Sequence, residues 1–423
     1  MRLVAGVLLS FVVAAPVFSA ERPWQTLRVP STKEVAARFR TPPPEYGVTL
    51  WWGWDGPVDE TVIRRDLDAI RSKNIRSVLI ESGYGMSAPY LSPGWFERVA
   101  LAVREARRRD MRVWLADEGK YPSGFAGGKF SQERPDLRMQ SLVVAERIEL
   151  ASGEALTRSL TPEIVGALAV NPAESLSEVL DVSSGQLKWS APGGQWHVLL
   201  IAHQFRTSVT RAVNNPTRGK DATNSLCDYL NPAATRQFLE WTHESYRRAF
   251  GEELGRTVMG FMGDEPDYAF TPWTPTILEE FQTRKGYDVR PFLASFFAPR
   301  LTEDQRRARA DYWDVWSALF ADNYFRVQAD WCAAHGVEYI VHLNHEDKMT
   351  DLARSSGDYF RNMRHVQVPG IDTIWNQIWP GKISDFPKYA SSAAHLAGQP
   401  RAFTESVAAS AASSRSHRLI VGA

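Results

Sequence analysis

The chain has 423 residues, of which 44% are hydrophobic and 11% aromatic, so it can bury at least one large core and is globular. Lysine plus arginine and aspartate plus glutamate each number 49, which makes the formal net charge zero. This balance excludes the long-range field that draws basic proteins to nucleic acid or to anionic membranes. The 15 tryptophans and 13 tyrosines suit stacking on sugar rings, although most of them are equally expected in a core.

The N-terminal residues have the organisation of a secretory signal peptide. Arg2 is followed by an apolar run from Leu3 to Val13 and then by small residues up to Ala20. That run is shorter than the ~20 apolar residues of a membrane span, and no later segment reaches this length. We therefore predict a signal peptide at residues 1–20, a secreted or periplasmic mature protein, and no membrane partner.

The chain has two cysteines, Cys227 and Cys332. An oxidising compartment would allow them to form a disulfide. Cys332 lies in an apparent helix, however, where a buried free thiol is equally consistent with the sequence, so both states stay open.

Short apolar strands alternate with amphipathic helices between residues 46 and 117. This alternation is typical of βα units and a parallel sheet. Residues 21–140 are therefore assigned to the first part of a (β/α) barrel. Its predicted strands are 48–52, 77–80 and 112–116.

The pattern changes between about Leu142 and Gln204, where β-branched runs are separated by Gly, Ser and Pro turns. We assign residues 141–230 to an inserted β-rich module and residues 231–407 to the rest of the barrel. The later barrel strands are predicted at 258–262, 338–341, 365–368 and 401–404.

These segments supply seven strands, one fewer than a closed (β/α)8 barrel needs. The Ala/Ser-rich residues 408–423 show no strand-helix pattern and are predicted to be an irregular tail. The predicted fold class is therefore α/β, a TIM-type barrel incomplete at strand 8, with an inserted β-rich module.

Carboxylates are concentrated where the predicted strands end, the positions that face the active-site mouth of such a barrel. Two carboxyl groups facing a sugar are the minimum for glycoside hydrolysis. Glu265 is the first candidate, because Pro266 disfavours helical backbone before it and should hold it extended, with its carboxyl aimed out of the strand. Glu405 and Glu346 are the other catalytic candidates. Each could equally be a helix cap or a salt-bridge partner.

A second set of residues is predicted to bind the sugar itself, through ring stacking or through hydrogen bonds. Its members are Trp51, Trp52, Trp54, Asp117, Glu118, His342, His345, Asp372 and Trp375. Ordinary core or loop roles remain open for each of them. His342, His345 and Asp372 could also be the ligands of a metal-dependent hydrolase, although two histidines alone do not make a metal site.

Five ordered motifs in this chain, spread from about Pro44 to Glu405, resemble those of glycoside hydrolase family 106, the α-L-rhamnosidases. They are Trp-Trp-Gly-Trp-Asp-Gly from Trp51, the segment from Asp117 to Gly128, Gly263-Asp264-Glu265-Pro266, His345-Glu346-Asp347 and Val368-Pro369-Gly370-Ile371-Asp372. The resemblance implies a (β/α)8 catalytic barrel interrupted by a β insertion, an inverting mechanism, and calcium at the sugar site. It also implies that Glu265, Glu346 and Glu405 are the functional glutamates, with Glu265 as general acid and Glu405 or Glu346 as base.

Family members are usually longer, with β-sandwich domains after the barrel, whereas the pattern here stops right after Glu405. Three functions therefore compete. The leading one is an exported α-L-rhamnosidase-like hydrolase acting on a rhamnose-containing glycoside or polysaccharide. The second is a metal-dependent TIM-barrel hydrolase, and the third is a shortened barrel that binds sugar without cleaving it.

Overall fold

The computed structural model describes residues 30–43, 46–173, 175–213, 221–268, 271–374, 377, 381, 384–406 and 419–422. The predicted signal peptide at residues 1–20 and the predicted sugar-binding Trp375 lie outside these residues. Within them, none of the helices combines the length and the apolar character that a membrane crossing requires.

The strands of the described chain belong to a ring of eight and to smaller β-sheets around it. They are β1 (Thr49–Trp54), β2 (Ser77–Ser82), β3 (Arg112–Ala116), β4 (Lys120–Tyr121), β5 (Gln140–Leu150), β6 (Ala155–Ser159), β7 (Ile164–Asn171), β8 (Leu176–Leu180), β9 (Gln186–Ser190), β10 (Trp196–Phe205), β11 (Ser208–Ala212), β12 (Asp221–Asn224), β13 (Val258–Asp264), β14 (Thr271–Trp273), β15 (Glu338–His342), β16 (Val368–Asp372), β17 (Phe403–Ser406) and β18 (Leu419–Gly422).

The helices lie mostly between the strands of the ring. They are α1 (Thr32–Arg38), α2 (Glu60–Ser72), α3 (Pro93–Arg108), α4 (Lys129–Glu133), α5 (Pro232–Trp241), α6 (His243–Phe250), α7 (Ile277–Lys285), α8 (Arg290–Leu293), α9 (Glu303–Phe320), α10 (Arg326–Ala334), α11 (Met349–Ser355), α12 (Tyr359–Met363) and α13 (Tyr389–Leu396). A π-helical segment, Ala321–Phe325, joins α9 to α10.

The ring has the strand order β1-β2-β3-β13-β15-β16-β17-β18. Neighbouring strands from β1 to β17 are parallel. The last strand, β18, is antiparallel both to β17 and to β1. Seven parallel strands are thus joined by one antiparallel strand, which differs from the eight parallel strands of a complete (β/α)8 barrel.

The prediction of an irregular tail at residues 408–423 is wrong for β18. The sequence Leu-Ile-Val-Gly is apolar and β-branched, but it follows an Ala/Ser-rich stretch and is too short to indicate a strand by itself. This strand forms because the edges of β1 and β17 carry unpaired backbone groups, which bind a further strand. β18 pairs with both of them.

The strand predicted at 365–368 is also displaced, since β16 begins at Val368 and ends at Asp372. Pro369 and Gly370 therefore lie inside the strand. Gly370 is needed there because a side-chain Cβ would come within 2.0 Å of the Phe403 ring on β17. The close approach of two strands, rather than a turn, explains this glycine.

Two apolar cores lie on the two sides of the ring. The smaller core fills the inside of the ring and consists of Trp51, Leu79, Trp114, Met259, Met262, Ile340, Val368 and Phe403. The larger one lies outside, where the strands pack against the helices, and it includes Ile63 and Leu67 of α2. Cys227 and Cys332 are both buried free thiols, which settles the question that the sequence left open.

The β-rich sheets are built largely from residues between β3 and β13. The main sheet has the order β14-β5-β10-β7-β8, so β14, which follows β13, completes it from the barrel side. A smaller sheet has the order β12-β11-β4. In this sheet β11 pairs with β4, placing Arg211 opposite Tyr121, so a strand of this region supports the loop after β3.

Candidate active site

Four consecutive strands of the ring bring polar side chains to the same edge. Asp264 ends β13, His342 ends β15, Asp372 ends β16, and Glu405 lies in β17. The register pairs Asp264 with His342 and Asp372 with Glu405. All four residues are buried, with exposed fractions of 6% or less. Such a group of buried ionisable side chains at the carboxyl ends of parallel strands is typical of an active site.

His342 is the centre of this group. Its Nε2 atom lies 3.0 Å from Glu405 Oε2 and 3.4 Å from Asp264 Oδ1. Burial by itself lowers the pKa of His342, but Glu405, helped by Asp264 and Asp372, raises the pKa well above its ordinary value. The geometry therefore favours a charged imidazolium between two carboxylates.

Glu265 follows β13 and is half-buried. Its φ is +43°, so the prediction that Pro266 holds it in extended backbone is wrong. Pro266 disfavours the right-handed helical region for Glu265, and the chain takes the left-handed region at this position. Strained backbone of this kind persists where the surroundings enforce it and occurs often in active sites.

The Glu265 carboxyl group is affected by its electrostatic environment and by a hydrogen bond. Burial, reinforced by the neighbouring Asp264 charge, raises the pKa of Glu265 well above its usual value, and His342 opposes the shift. Tyr121 forms a side-chain hydrogen bond with Glu265. A carboxyl group that tends to keep its proton and is held by a phenol is suited to donate a proton to a leaving group.

Glu346 lies in the loop after β15 and is 3% exposed. Its Oε1 atom accepts the backbone N–H of Leu343 at 2.7 Å. Burial raises the pKa of Glu346 to about 8, and the charge of His342 acts against this rise. The preceding residue, His345, is half-exposed and has a φ of +67°, so this loop also carries local strain next to the site.

Asp117 supports the site from inside. Its Oδ1 atom accepts the hydroxyl of Ser123 at 2.5 Å, and the same Ser123 Oγ accepts the backbone N–H of Asp264 at 2.7 Å. Asp117 is fully buried, so the structure does not present it to solvent as a sugar ligand. Its observed contacts instead fix the end of β13, which carries Asp264 and Glu265.

Glu118 is also buried, with 1% of its surface exposed, and its carboxylate accepts hydrogen bonds from backbone groups. The two oxygens accept N–H groups at 2.5 to 3.3 Å from Gly119, Gly124, Phe125, Ala126 and Gly127. A carboxylate with this many donors folds the loop around itself. The prediction that Glu118 binds sugar is therefore replaced by a role as the anchor of the 119–128 loop.

The three tryptophans of the first strand are not sugar platforms in this structure. Trp51 is 3% exposed and belongs to the core inside the ring. Trp52 and Trp54 are 5% and 1% exposed and belong to the outer core, where their rings meet edge to face with centroids 5.3 Å apart. Trp54 packs in the same way on Trp95 of α3. Strand alternation explains the two orientations, because successive side chains point to opposite faces.

The sequence analysis did not identify the contacts that Lys120, Tyr121 and Ser123 make in this site. Tyr121 and Ser123 fall within the motif from Asp117 to Gly128, but nothing in their spacing indicated contacts with Glu265 and Asp264. Lys120 and Glu81 form an ion pair at 3.0 Å, and Glu81 is 6% exposed. This pair extends the polar edge toward β2.

Two groups of described side chains have the composition of a metal site. They share His342 and otherwise consist of Asp264 with Glu405, and of Glu265 with Asp372. Within each group the donor atoms lie within 4.8 Å of one another. The predicted trio of His342, His345 and Asp372 is not formed, because His345 belongs to neither group.

The part of the chain that carries these site residues matches a known protein family. The family model of glycoside hydrolase family 106, described as alpha-L-rhamnosidase, matches residues 149–418, more than half of the chain. The chain belongs to glycoside hydrolase family 106. The resemblance inferred from the five motifs is thereby confirmed, and the match includes every site residue from Asp264 to Glu405.

Two other proteins are similar to this family 106 chain. A rhamnosidase from Novosphingobium sp. PP1Y matches with a TM-score of 0.62 and 16% identity, over 89% of this chain and 53% of its own. A Formosa agariphila protein with the provisional name beta-glucuronidase is 24% identical over an alignment 434 positions long, which covers 88% of this chain and 35% of the relative. The structural likeness shows a shared fold. The chain spans about half of the first relative and about a third of the second.

The Ser123 bridge gives a first prediction for this family 106 site. Ser123→Ala should lower the free energy of unfolding by roughly 1–3 kcal/mol, because a buried carboxylate and a buried N–H both lose a partner. Urea unfolding followed by tryptophan fluorescence measures this loss. The matched control is Ser184→Ala, at an exposed serine whose hydroxyl donates to Gln186 O at 3.1 Å. The control should change by less than about 0.5 kcal/mol, and equal losses would contradict the bridge.

Proposed function

We propose that this chain is an exported α-L-rhamnosidase-like hydrolase, acting on terminal α-L-rhamnosyl units of a glycoside or polysaccharide. The observation that carries the proposal is the convergence of Glu265, Glu346 and Glu405 on His342. Each of the three interacts electrostatically with this histidine. Glycoside hydrolysis needs two carboxyl groups in different protonation states, and the direct contact of Glu405 with His342 supports such a difference.

Glu265 is the proposed general acid and gives its proton to the glycosidic oxygen as the bond to the anomeric carbon breaks. Glu405 is the proposed general base and takes a proton from the water whose oxygen bonds to that carbon. Its contact with His342 stabilises the negative charge that a base requires. We propose that the reaction inverts the anomeric centre, as the family resemblance implies, with the water held between the two carboxyl groups.

Glu346 remains the alternative base. Its burial and its bond from the Leu343 N–H hold it in place, but its pKa of about 8 means that it is largely protonated near neutral pH. A base must be deprotonated before the reaction, so this environment favours Glu405. We therefore assign Glu346 to hydrogen bonding with the sugar.

Closure of the ring by β18 supports the enzyme over a shortened barrel that only binds sugar. Export is proposed from the signal-peptide pattern in residues 1–20. The name of the Formosa agariphila relative adds β-glucuronides to the substrates to be tested.

The roles of the glutamates lead to a second prediction. Glu265→Gln and Glu405→Gln should each lower kcat on an aryl α-L-rhamnoside by at least about a hundredfold, because a proton donor or acceptor is lost. Glu346→Gln should act mainly on KM, since the amide keeps the shape and removes only the acid. Initial rates at several pH values, on aryl α-L-rhamnoside and aryl β-D-glucuronide, measure both effects.

Glu149→Gln is the matched control, because Glu149 lies on β5 with a side chain 79% exposed. It should leave kcat unchanged. Full activity of folded Glu265→Gln would overturn the proposed mechanism, and turnover of the glucuronide alone would overturn the proposed substrate.

We further propose that the site takes calcium, as the family resemblance implies. Calcium prefers oxygen donors, and Asp264 and Asp372 contribute carboxylate oxygens to the two groups that share His342. The nitrogen of His342 is a poorer donor for calcium than for zinc. A calcium ion at these carboxylates would offset their charge and attract sugar hydroxyl groups.

A third prediction separates calcium from zinc. Chelation followed by dialysis should lower activity, and calcium should restore it, whereas zinc should not. Elemental analysis of the purified protein gives an independent readout, with calcium bound at about one ion per chain. In Asp372→Asn, retention of calcium should fall, because one oxygen loses its charge. Bound zinc, or activity restored by zinc alone, would instead favour the metal-dependent hydrolase.

A further inference from the structure

A cavity of about 410 Å³ lies at the same edge of the ring, between the loop after β2 and the loop and helix after β3. Its lining does not include His342 or the three glutamates of the candidate active site, Glu265, Glu346 and Glu405. Its walls include Ser82, Met86, Tyr90, Lys129, Gln132 and Glu133. The volume falls in the range of roughly 300–1,000 Å³ that small-molecule sites occupy in proteins.

The cavity has an unpaired polar group in its wall. Ser82 is 1% exposed, and its hydroxyl has no hydrogen-bond partner among the described residues. Glu81, the preceding residue, points to the other side of β2 and pairs with Lys120, so the cavity is separate from that ion pair. A buried hydroxyl without a partner costs free energy that a ligand hydroxyl can recover.

The wall on the opposite side is an aromatic ring held in one orientation. Tyr90 donates its hydroxyl to the backbone oxygen of Asp117 at 3.1 Å, and its ring packs edge to face on Trp95. A Cβ at Gly119 would come within 2.6 Å of this ring, and one at Gly127 within 3.1 Å. The glycine loop thus packs closely on Tyr90. A fixed ring beside polar groups is the usual surface for the apolar face of a sugar.

The charged residues of the wall cancel each other. Lys129 Nζ lies 2.5 Å from Glu133 Oε1, one turn apart on α4. Gln132 on the same helix is exposed and carries an uncharged amide. A neutral ligand with several hydroxyl groups suits this lining, whereas an anionic sugar would meet Glu133 as well as Lys129.

We propose that this cavity binds a second, neutral pyranose unit, a further sugar of the glycan whose terminal unit is cleaved. The inference rests on the proposed function, because it assumes a carbohydrate substrate. The strands β2 and β3 end at the same edge as β13 to β17, so one extended glycan can reach both places. The Tyr90 ring stacks on the sugar, and Ser82 and Gln132 bond its hydroxyls.

The test is direct binding to the full chain, measured by ligand-observed NMR and calorimetry. The probes are methyl β-D-galactoside and methyl β-D-glucoside, with methyl β-D-glucuronide as the charged comparison. We expect millimolar binding of at least one neutral glycoside and binding at least fivefold weaker for the glucuronide. Gln132→Trp places an indole in the cavity from an exposed helix position and should weaken binding at least tenfold. Ser82→Ala should weaken it roughly threefold to tenfold.

Two controls locate the bound sugar. Gln132→Ala removes one hydrogen bond but leaves the cavity open, so it should weaken binding only about threefold, less than Gln132→Trp, while Glu405→Gln should keep the binding although it loses turnover. Thermal unfolding checks that each variant is folded. Absence of binding by both neutral probes would overturn the proposal, as would binding that survives Gln132→Trp and is lost in Glu405→Gln. Rhamnoside turnover is measured separately, so a failure of the cavity and a failure of the proposed hydrolase remain distinguishable.

Discussion

The buried His342 offsets the charge of the carboxylates that gather at one edge of the strand ring. Asp264, Asp372 and Glu405 are all nearly inaccessible, and unpaired buried carboxylates are costly. His342 lies within 3.4 Å of two of them. Because it is also fully buried, its charge is little screened by solvent and acts on every acid of the group. The same charge opposes the rise that burial causes in the pKa of Glu265 and of Glu346, and it lies in direct contact with Glu405.

The loop after β3 connects this edge to the rest of the molecule. Glu118 folds the loop by accepting its backbone N–H groups, and Ser123 links the loop to the end of β13. Tyr121 is placed beside Glu265 by β4, which pairs with β11 of the small sheet. The β-rich region therefore contributes to the position of the proposed acid through backbone pairing.

The sequence patterns anticipated the seven parallel strands and the gathering of Glu265, Glu346 and Glu405, because buried parallel strands are short apolar runs and their ends share one edge. They did not anticipate which way single side chains point. Trp52 and Trp54 sit at a strand end as expected, but the alternation of the strand turns them toward helices. Glu118 has the same chemistry as a sugar ligand, and only the folded loop shows that its oxygens are already occupied. The strand β18 depends on edges that are distant in sequence, so local pattern could not indicate it.

The central claim is that Glu265 and Glu405 act on opposite faces of a rhamnosyl unit and invert its anomeric centre. Proton NMR during hydrolysis of an aryl α-L-rhamnoside tests this claim most directly, because the first anomer released is resolved before mutarotation equilibrates the product. Our account predicts that β-L-rhamnose appears first and that the α anomer follows slowly. Immediate release of α-L-rhamnose would contradict it, since retention requires a covalent intermediate on one of the glutamates.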